Sequence, residues 1–434
     1  MTATRTEPVV VDPADVAVID PIAVEPVAVE PSRGDAFSSG RRLLYIVMLG
    51  ALAALGPFTI DLYLPAFPAV AGDLHASDAA IQITLTATLI GFALGQLIVG
   101  PLADAFGRRK PLLIATSIHV AASFAVAFAP SVELVTVGRV FQGIGAAGAG
   151  VVAMAIVRDL FSGQRLIRML SRLALVWGLA PVLAPVIGSQ LLRVVDWRGI
   201  FFVLAAYGIA MMIVAAFFMI ETLPAERRGV FSGRAIARRY RHLAHDRAFV
   251  GAAILGSMAF TALFGYLSSS SFVLQDIYGL SAQQFGIVFG INSLGLVAAT
   301  QISARLMRRY APKQVATAGL FIMSTGAASL LVCALTDGAL AWVLVSLFFV
   351  VAPLGVIMPT VQVTALANHA EEAGTAASLI GALNSLLPGL VTPLIGILGV
   401  SVLTMASVMV GALIIAHLAL WFIVRPSAPS GVVA

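Results

Sequence analysis

Apolar residues in this chain come in long blocks, not at the spacing of an amphipathic helix or the alternation of a half-buried strand. The blocks lie near 43–67, 79–103, 111–130, 132–157, 169–192, 199–220, 248–274, 282–304, 314–335, 339–361, 379–398 and 400–424. Each runs for about 20 residues or more, the length of helix that crosses ~30 Å of hydrocarbon. Barrel strands need only about half that length, and lipid leaves a spanning backbone no other way to satisfy its hydrogen bonds than a helix or a closed barrel. The pattern predicts an all-α polytopic membrane protein of twelve transmembrane helices. A polar break from Glu221 to Arg247 divides them six and six, so the expected units are a tail over 1–40, a six-helix bundle over 41–220, a basic central loop over 221–247, a second six-helix bundle over 248–424 and a short tail over 425–434.

Composition agrees with the pattern. Sixty per cent of residues are apolar and 11% charged, too little polar surface to cover a soluble globule. The formal charge of +5 does not point to nucleic acid, because the cations sit in short clusters between apolar runs, as topology signals do. With the first tail placed inside, 23 of the 26 Lys and Arg residues fall on the cytoplasmic side, which predicts both termini in the cytoplasm. The segment from Ala365 to Ser378 is the exception, with Glu371, Glu372 and His369 and no Lys or Arg. The first tail carries Glu7, Asp12, Asp15, Asp20, Glu25, Glu30 and Asp35 among prolines at 8, 13, 21, 26 and 31, a composition that predicts disorder. It has no basic start and apolar core of a cleavable signal, so the first helix is the expected insertion signal. The single cysteine, Cys333, lies in an apolar run and reads as a packing residue.

Two charged residues lie well inside predicted helices, Asp61 and Arg139. A charge near the bilayer centre costs ~2.5–3.5 kcal/mol even on insertion scales, so such residues are read first as functional. Counted from the flanking cations at 1.5 Å per residue, both lie roughly 28 Å from the cytoplasmic end and share a depth. We expect Asp61 to take up and release a coupling proton, with Arg139 tuning it from across the cavity; the alternative is that Asp61 caps the kinked end of helix 1 between Pro57 and Pro65, with Arg139 as its structural partner. Asp104, Arg108 and Arg109 are placed to pair between helices in one conformation and release in another. In helix 5, Ala180, Ala184 and Gly188 form a small-residue face for close packing, and Pro181 and Pro185 bend the helix. Gln142, Asn292, Gln362 and Asn384 could hydrogen-bond a bound solute, and Tyr63, Phe260 and Phe264 could stack on one. Trp197, Trp342 and Trp421 fall near helix ends as interface anchors. His119 stands alone in a helix; no metal-ligand set, catalytic constellation or Walker-type phosphate loop is present.

Several stretches together resemble the major facilitator superfamily and, within it, the bicyclomycin-resistance-type (Bcr/CflA) drug:proton antiporters. Gly100-Pro101-Leu102-Ala103-Asp104-Ala105-Phe106-Gly107-Arg108-Arg109-Lys110 resembles the superfamily's loop between helices 2 and 3. Ile60-Asp61-Leu62-Tyr63-Leu64-Pro65-Ala66-Phe67-Pro68 resembles the helix-1 signature of this branch, Arg139-Val140-Phe141-Gln142-Gly143 the helix-4 motif tied to proton coupling, and Ala180-Pro181-Val182-Leu183-Ala184-Pro185-Val186-Ile187-Gly188 the helix-5 antiporter motif, with Ala184 where Gly is usual; Glu221-Thr222-Leu223-Pro224-Ala225-Glu226-Arg227-Arg228 and Ala373-Gly374-Thr375-Ala376-Ala377-Ser378 resemble this branch more specifically. The resemblance covers roughly residues 43–424.

What it implies is a bacterial cytoplasmic-membrane exporter, not an enzyme, that exchanges protons for small amphipathic antimicrobials such as bicyclomycin or phenicols by alternating access. It also implies proton coupling through Asp61 and Arg139, gating through Asp104, Gly107, Arg108 and Arg109, and an antiporter motif at Pro181, Pro185 and Gly188. The proton is the coupling ion, and no other cofactor or metal is expected. Membrane lipid and a drug are the expected partners, nucleic acid is not, and a monomer suffices. The competing reading is a proton-linked transporter of a small metabolite such as a sugar, nucleoside, amino acid or organic acid.

Overall fold

The computed structural model describes residues 34, 37–229, 233–366, 369 and 373–424. The acidic segment ahead of Gly34, Glu371, Glu372, residues 425–434 and the side chain of Trp177 lie outside the described residues.

Among the described residues the protein is helical, with no strand. We number the spans α1 (Ser39–Asp61, extended by Leu64–Ala66 and Phe67–Asp73), α2 (Asp78–Phe106), α3 (Arg109–Ala127), α4 (Val132–Leu160), α5 (Gly163–Leu191), α6 (Trp197–Phe218), α7 (Arg247–Phe272), α8 (Ala282–Leu306), α9 (Pro312–Leu335), α10 (Leu340–Val351 and Leu354–Leu366), α11 (Ala373–Val391 and Pro393–Ile397) and α12 (Val402–Leu418). Eleven of them are long and apolar enough to cross a bilayer. The remaining one, α5, is 29 residues long, but Arg165, Arg168 and Arg172 occupy its first turns and its apolar part is Leu179–Leu191.

Local chemistry sets the ends. Ser38, Ser77, Asp196, Asp246, Ser281 and Ser401 each accept a backbone N–H from the first turn of the helix they precede, replacing partners that a helix start lacks. The Ser38 cap lets α1 begin at Ser39, ahead of its apolar block, whereas α5 begins at Gly163 without a side-chain cap. Pro353 interrupts α10 by withholding a donor inside the span. The central segment also differs from its expected form. Gly233–His245 is a 13-residue helix, because Ala and Arg are good helix formers and Leu243 gives it one fully buried contact.

The connections α2–α3, α4–α5, α6–α7 and α8–α9, which carry most of the cations, share one end of the bundle, called here the basic face; Arg193 and Arg198 lie at the other end, where Arg198 pairs with Asp73. Side chains that look outward from the spans are apolar, with Phe217 at 80% and Phe422 at 81% exposure, as a protein solvated by lipid requires. The two halves meet through α2 against α11 and α5 against α8. At the end opposite the basic face the contact is tight: Phe67 and Phe272 lie 5.7 Å apart between ring centroids, Gln275 Nε2 donates to the Pro65 carbonyl at 3.2 Å, and Gln283 Nε2 to the Ser189 carbonyl at 3.0 Å. The buried cores follow the same division. One continuous core joins Tyr63, Phe67, Leu85 and Phe201 of the first half to the whole second half, while Tyr45, Leu52, Val99 and Ile156 form a separate core at the basic end of the first half.

Trp197 is 3% exposed, donates Nε1 to Asp73 at 3.1 Å and so fastens α6 to the extension of α1. The expected interfacial anchor is therefore a buried staple. Trp342 and Trp421 are exposed, at 41% and 58%.

Candidate functional site

The buried charges gather where α1 breaks. Pro65 has no N–H to offer the Asp61 carbonyl and Pro68 none for Leu64, so the α-helix stops at Asp61 and the chain turns through Leu62 and Tyr63 into a short 3-10 segment. Backbone acceptors in the last turn of such a helix need partners from elsewhere. Arg139 of α4, fully buried, supplies one: its Nη1 donates to the Thr59 carbonyl at 2.9 Å and to Gln142 Oε1 at 2.6 Å. The guanidinium also lies 5.0 Å from the Tyr63 ring centroid and 5.7 Å from that of Phe201, within cation–π range.

Asp61 is buried beside this arrangement, and its Oδ1 has no hydrogen-bond partner among the described residues. No ion pair joins it to Arg139. The expected facing pair is thus rearranged: Arg139 turns into the first half and grips α1 two residues before the acid, because the broken helix end offers a carbonyl. The side-chain cap considered for Asp61 is supplied by Arg139 instead.

Gln142 also differs from expectation. Its amide is held on both ends, accepting from Arg139 and donating Nε2 to Ser123 Oγ at 2.8 Å, so it belongs to the interior of the first half and not to a solute cavity. Ser123 Oγ donates to the His119 carbonyl at 2.7 Å, and His119 Nδ1 meets the Gln142 carbonyl at 3.3 Å. His119, which stands alone in the sequence, is a fully buried member of this chain of contacts, and it was legible only as an ionisable residue within an apolar block. Tyr63 is enclosed by Phe67 and Phe201, at 4.9 and 5.2 Å between centroids.

From the second half, Tyr266 of α7 lies within electrostatic reach of Asp61. Asn292 Nδ2 donates to the Tyr266 hydroxyl at 3.2 Å, and Ser257 Oγ donates to Asn384 Oδ1 at 2.9 Å, linking α7 to α8 and α11. Phe260 and Phe264 lie 6.1 Å apart on α7. Gln362 is exposed near the end of α10. Asn292 is thus held against Tyr266, and the polar candidates of the second half are spread along it.

Helix α5 closes the site from behind. Gly188 sits so close to the Leu62 carbonyl, the residue after Asp61, that a Cβ there would meet it. The small residues therefore let α5 approach the backbone of α1 at the break, with Ala180 and Ala184 buried on the same stripe. On its other side α5 packs on α8, where Gly286 lies against Ser189.

At the basic face a second constellation forms around Gly107, whose φ of +87° turns the chain from α2 into α3. The Glu221 carboxylate occupies the space where a Cβ would stand, and it accepts the backbone N–H groups of Arg108 at 2.8 Å, Leu223 at 3.0 Å and Arg109 at 3.2 Å. An acid at a helix N-terminus is well placed electrostatically. Burial alone would push Glu221 up, but these N–H groups and the Arg228 charge hold it below the usual carboxylate range. Arg108 donates Nη1 to Asp104 at 2.5 Å and Nε to Asp159 Oδ2 at 2.8 Å; Thr222 Oγ1 completes Asp159 at 2.8 Å. Arg109 donates to the Ala216 carbonyl. The charges tie α2, α3, α4 and the end of α6 together within the first half. Glu221 stood in the sequence only as the start of a family-like stretch without a role, and Asp159 was missed because it is one acid among ordinary loop charges; only the fold brings both to Arg108.

Among the described residues no group of His, Cys, Asp or Glu could hold a metal ion. The family model described as Major Facilitator Superfamily matches residues 47–393. An uncharacterized MFS-type transporter, YdgK, of Bacillus subtilis is 36% identical over 380 residues, covering 87% of this chain and 94% of that protein. A bicyclomycin resistance protein homolog of Haemophilus influenzae is 32% identical over 338 residues, covering 78% of this chain and 85% of its own length. The solved structure of the xylose transporter XylE from E. coli, in a partially occluded inward-open conformation, superposes with a TM-score of 0.70 at 14% identity, over 89% of this chain and 98% of that one, a likeness of fold. By sequence model, relatives and architecture together, this multi-pass membrane protein belongs to the major facilitator superfamily of transporters and is similar to its bicyclomycin-resistance branch.

Proposed function

We propose that the protein is a proton-coupled exporter of small amphipathic antimicrobials, of the kind represented by bicyclomycin or the phenicols, working by alternating access between its two halves and not as an enzyme. The observation that carries this reading is Asp61: a carboxyl group buried at the meeting of the halves, with one oxygen lacking a hydrogen-bond partner among the described residues and no cation paired to it. An ionisable group kept inside a membrane protein without a fixed partner is suited to bind and release a proton. Phe272 and Gln275 of the second half pack on Phe67 and Pro65, just past Asp61, so a change in how the halves meet changes the surroundings of the acid. Arg139 holds the α1 break that presents Asp61, and Gly188 with Pro181 and Pro185 lets α5 bear on the same break. The name of the Haemophilus relative supports a drug as the cargo.

In this reading the basic face is cytoplasmic by the positive-inside rule, the membrane is the bacterial cytoplasmic membrane, and both termini lie inside. The tight contacts opposite the basic face then correspond to a conformation closed toward the outside. The driving force is the proton gradient, worth ~2.3 kcal/mol per elementary charge per 100 mV. The proton is the coupling ion and needs no further cofactor, lipid surrounds the protein, and one chain contains the whole site.

The test is drug accumulation in cells stripped of their own efflux pumps, expressing wild type or Asp61→Asn at matched membrane levels, with and without a protonophore. Wild type is expected to lower accumulation, and either the protonophore or the substitution to restore it to the control. Full export by Asp61→Asn would overturn the role of this acid; an unchanged drug panel with uptake of a sugar or organic acid would replace the cargo.

A further inference from the structure

The connecting helix Gly233–His245 carries Arg234, Arg238, Arg239 and Arg241 and no acid. Its fully buried Leu243 pins one side to the bundle, and His242 stacks edge-on to His369 at 6.1 Å. Residues at i, i+4 and i+7 share a helix face, so Arg234, Arg238 and Arg241 line the side away from Leu243, with His245 continuing the stripe. All four are exposed, and none of these arginines makes an ion pair among the described residues.

The acidic amino-terminal segment leads to the same face. Tyr45, near the start of α1, donates its hydroxyl to the Phe218 carbonyl at 3.3 Å and accepts from Ile220 N–H at 3.1 Å, so α1 begins beside the point where the connecting segment leaves α6. Phe37 stacks on Tyr45 at 5.1 Å, and Gly34 is packed against the Leu160 carbonyl and the Phe161 ring at the end of α4. Gly34 thus lies at the basic face. The 33 residues ahead of it hold six acids against Arg5 and Arg33. A chain of 33 residues reaches at most roughly 100 Å, at ~3.1 Å each. Crossing the face under four helices of about 10 Å needs less than half of that.

We propose that this segment, through Glu7, Asp12, Asp15, Asp20, Glu25 and Glu30, docks on the arginine stripe of the connecting helix. Charge complementarity, a common face and sufficient reach identify the occupant, and the attraction is of the surface kind that salt screens. The contact holds whichever solute the protein moves.

The experiment uses the full chain with Cys333→Ser and Ala237→Cys, an exposed position bordering the arginine stripe, labelled with a photo-crosslinker and mapped by mass spectrometry in phosphatidylcholine vesicles and in vesicles containing phosphatidylglycerol. Crosslinks to residues 1–33 are expected in both. Their yield should fall about fivefold between low salt and 0.5 M salt as the Debye length shrinks. It should fall similarly when the six acids are replaced by their amides. Tail crosslinks that ignore both salt and the amide replacements would overturn the proposal. So would crosslinks confined to the bundle, or adducts to phosphatidylglycerol that displace those to the tail.

Discussion

The loop between α2 and α3 and its counterpart between α8 and α9 carry similar cations and use them differently. In the first, Arg108 is 9% exposed in its side chain and lies between Asp104 and Asp159, while Glu221 caps α3. In the second, Arg305, Arg308 and Arg309 are exposed, without an ion pair among the described residues, and only nearby Lys313 reaches a helix end, donating to the Val424 carbonyl at 3.0 Å. Topology requires only that the cations be on the correct side. Fixing a geometry requires acids from α4 and the end of α6, and a glycine that makes room for one of them. The difference teaches that a basic loop signature carries two kinds of information, and that only the first half adds the structural kind.

Substitutions at four positions probe that contrast. Asp159→Asn leaves Arg108 buried with half its counter-charge, so we expect a loss on the order of 3 kcal/mol, read as a lowered apparent Tm in detergent. A loss as small as that of a surface change would mean the first-half network carries no more than the second. Glu221→Gln should cost about 1–2 kcal/mol, since an amide serves the α3 N-terminus less well than a carboxylate. Because the folded protein holds Glu221 below the usual carboxylate range, its contribution is present above about pH 4.3 and lost as pH falls through the folded value. Glu221→Gln should flatten that acid limb of stability, which a pH series of melting curves measures.

His119→Leu extends the contrast into the membrane, where the first half alone buries a chain of polar contacts around a cation. It removes the contact to the Gln142 carbonyl and should cost about 1 kcal/mol. His119→Asn, which restores a donor near Nδ1, should recover most of it; equal losses in both variants would assign the role of His119 to ring packing alone. The smallest effect is expected at Arg308→Gln, within about 0.5 kcal/mol. A larger loss there would erase the asymmetry between the loops.

The spans, their number and the face that carries the cations follow from the blocks of apolar residues, because crossing hydrocarbon imposes a length that composition reveals directly. Asp61, Arg139 and the stretch from Gly100 to Lys110 stand out for the same reason: charge is rare where the solvent is lipid. The helix Gly233–His245 was less legible, since its polar composition also suits a loop and its stability depends on Leu243 finding the bundle.

What sequence determined by itself was thus the solvent, the span count, the charged residues that lipid makes exceptional and the family likeness. Tertiary structure alone decided which partners those charges take. Arg139 turns from Asp61 to the Thr59 carbonyl because a proline-broken helix end exposes an acceptor there, and Arg108 finds Asp159 and Glu221 because packing brings together positions 51 and 113 residues away. Hydrophobic burial is written residue by residue, whereas a hydrogen bond or ion pair exists only where two distant segments arrive within about 3 Å of each other.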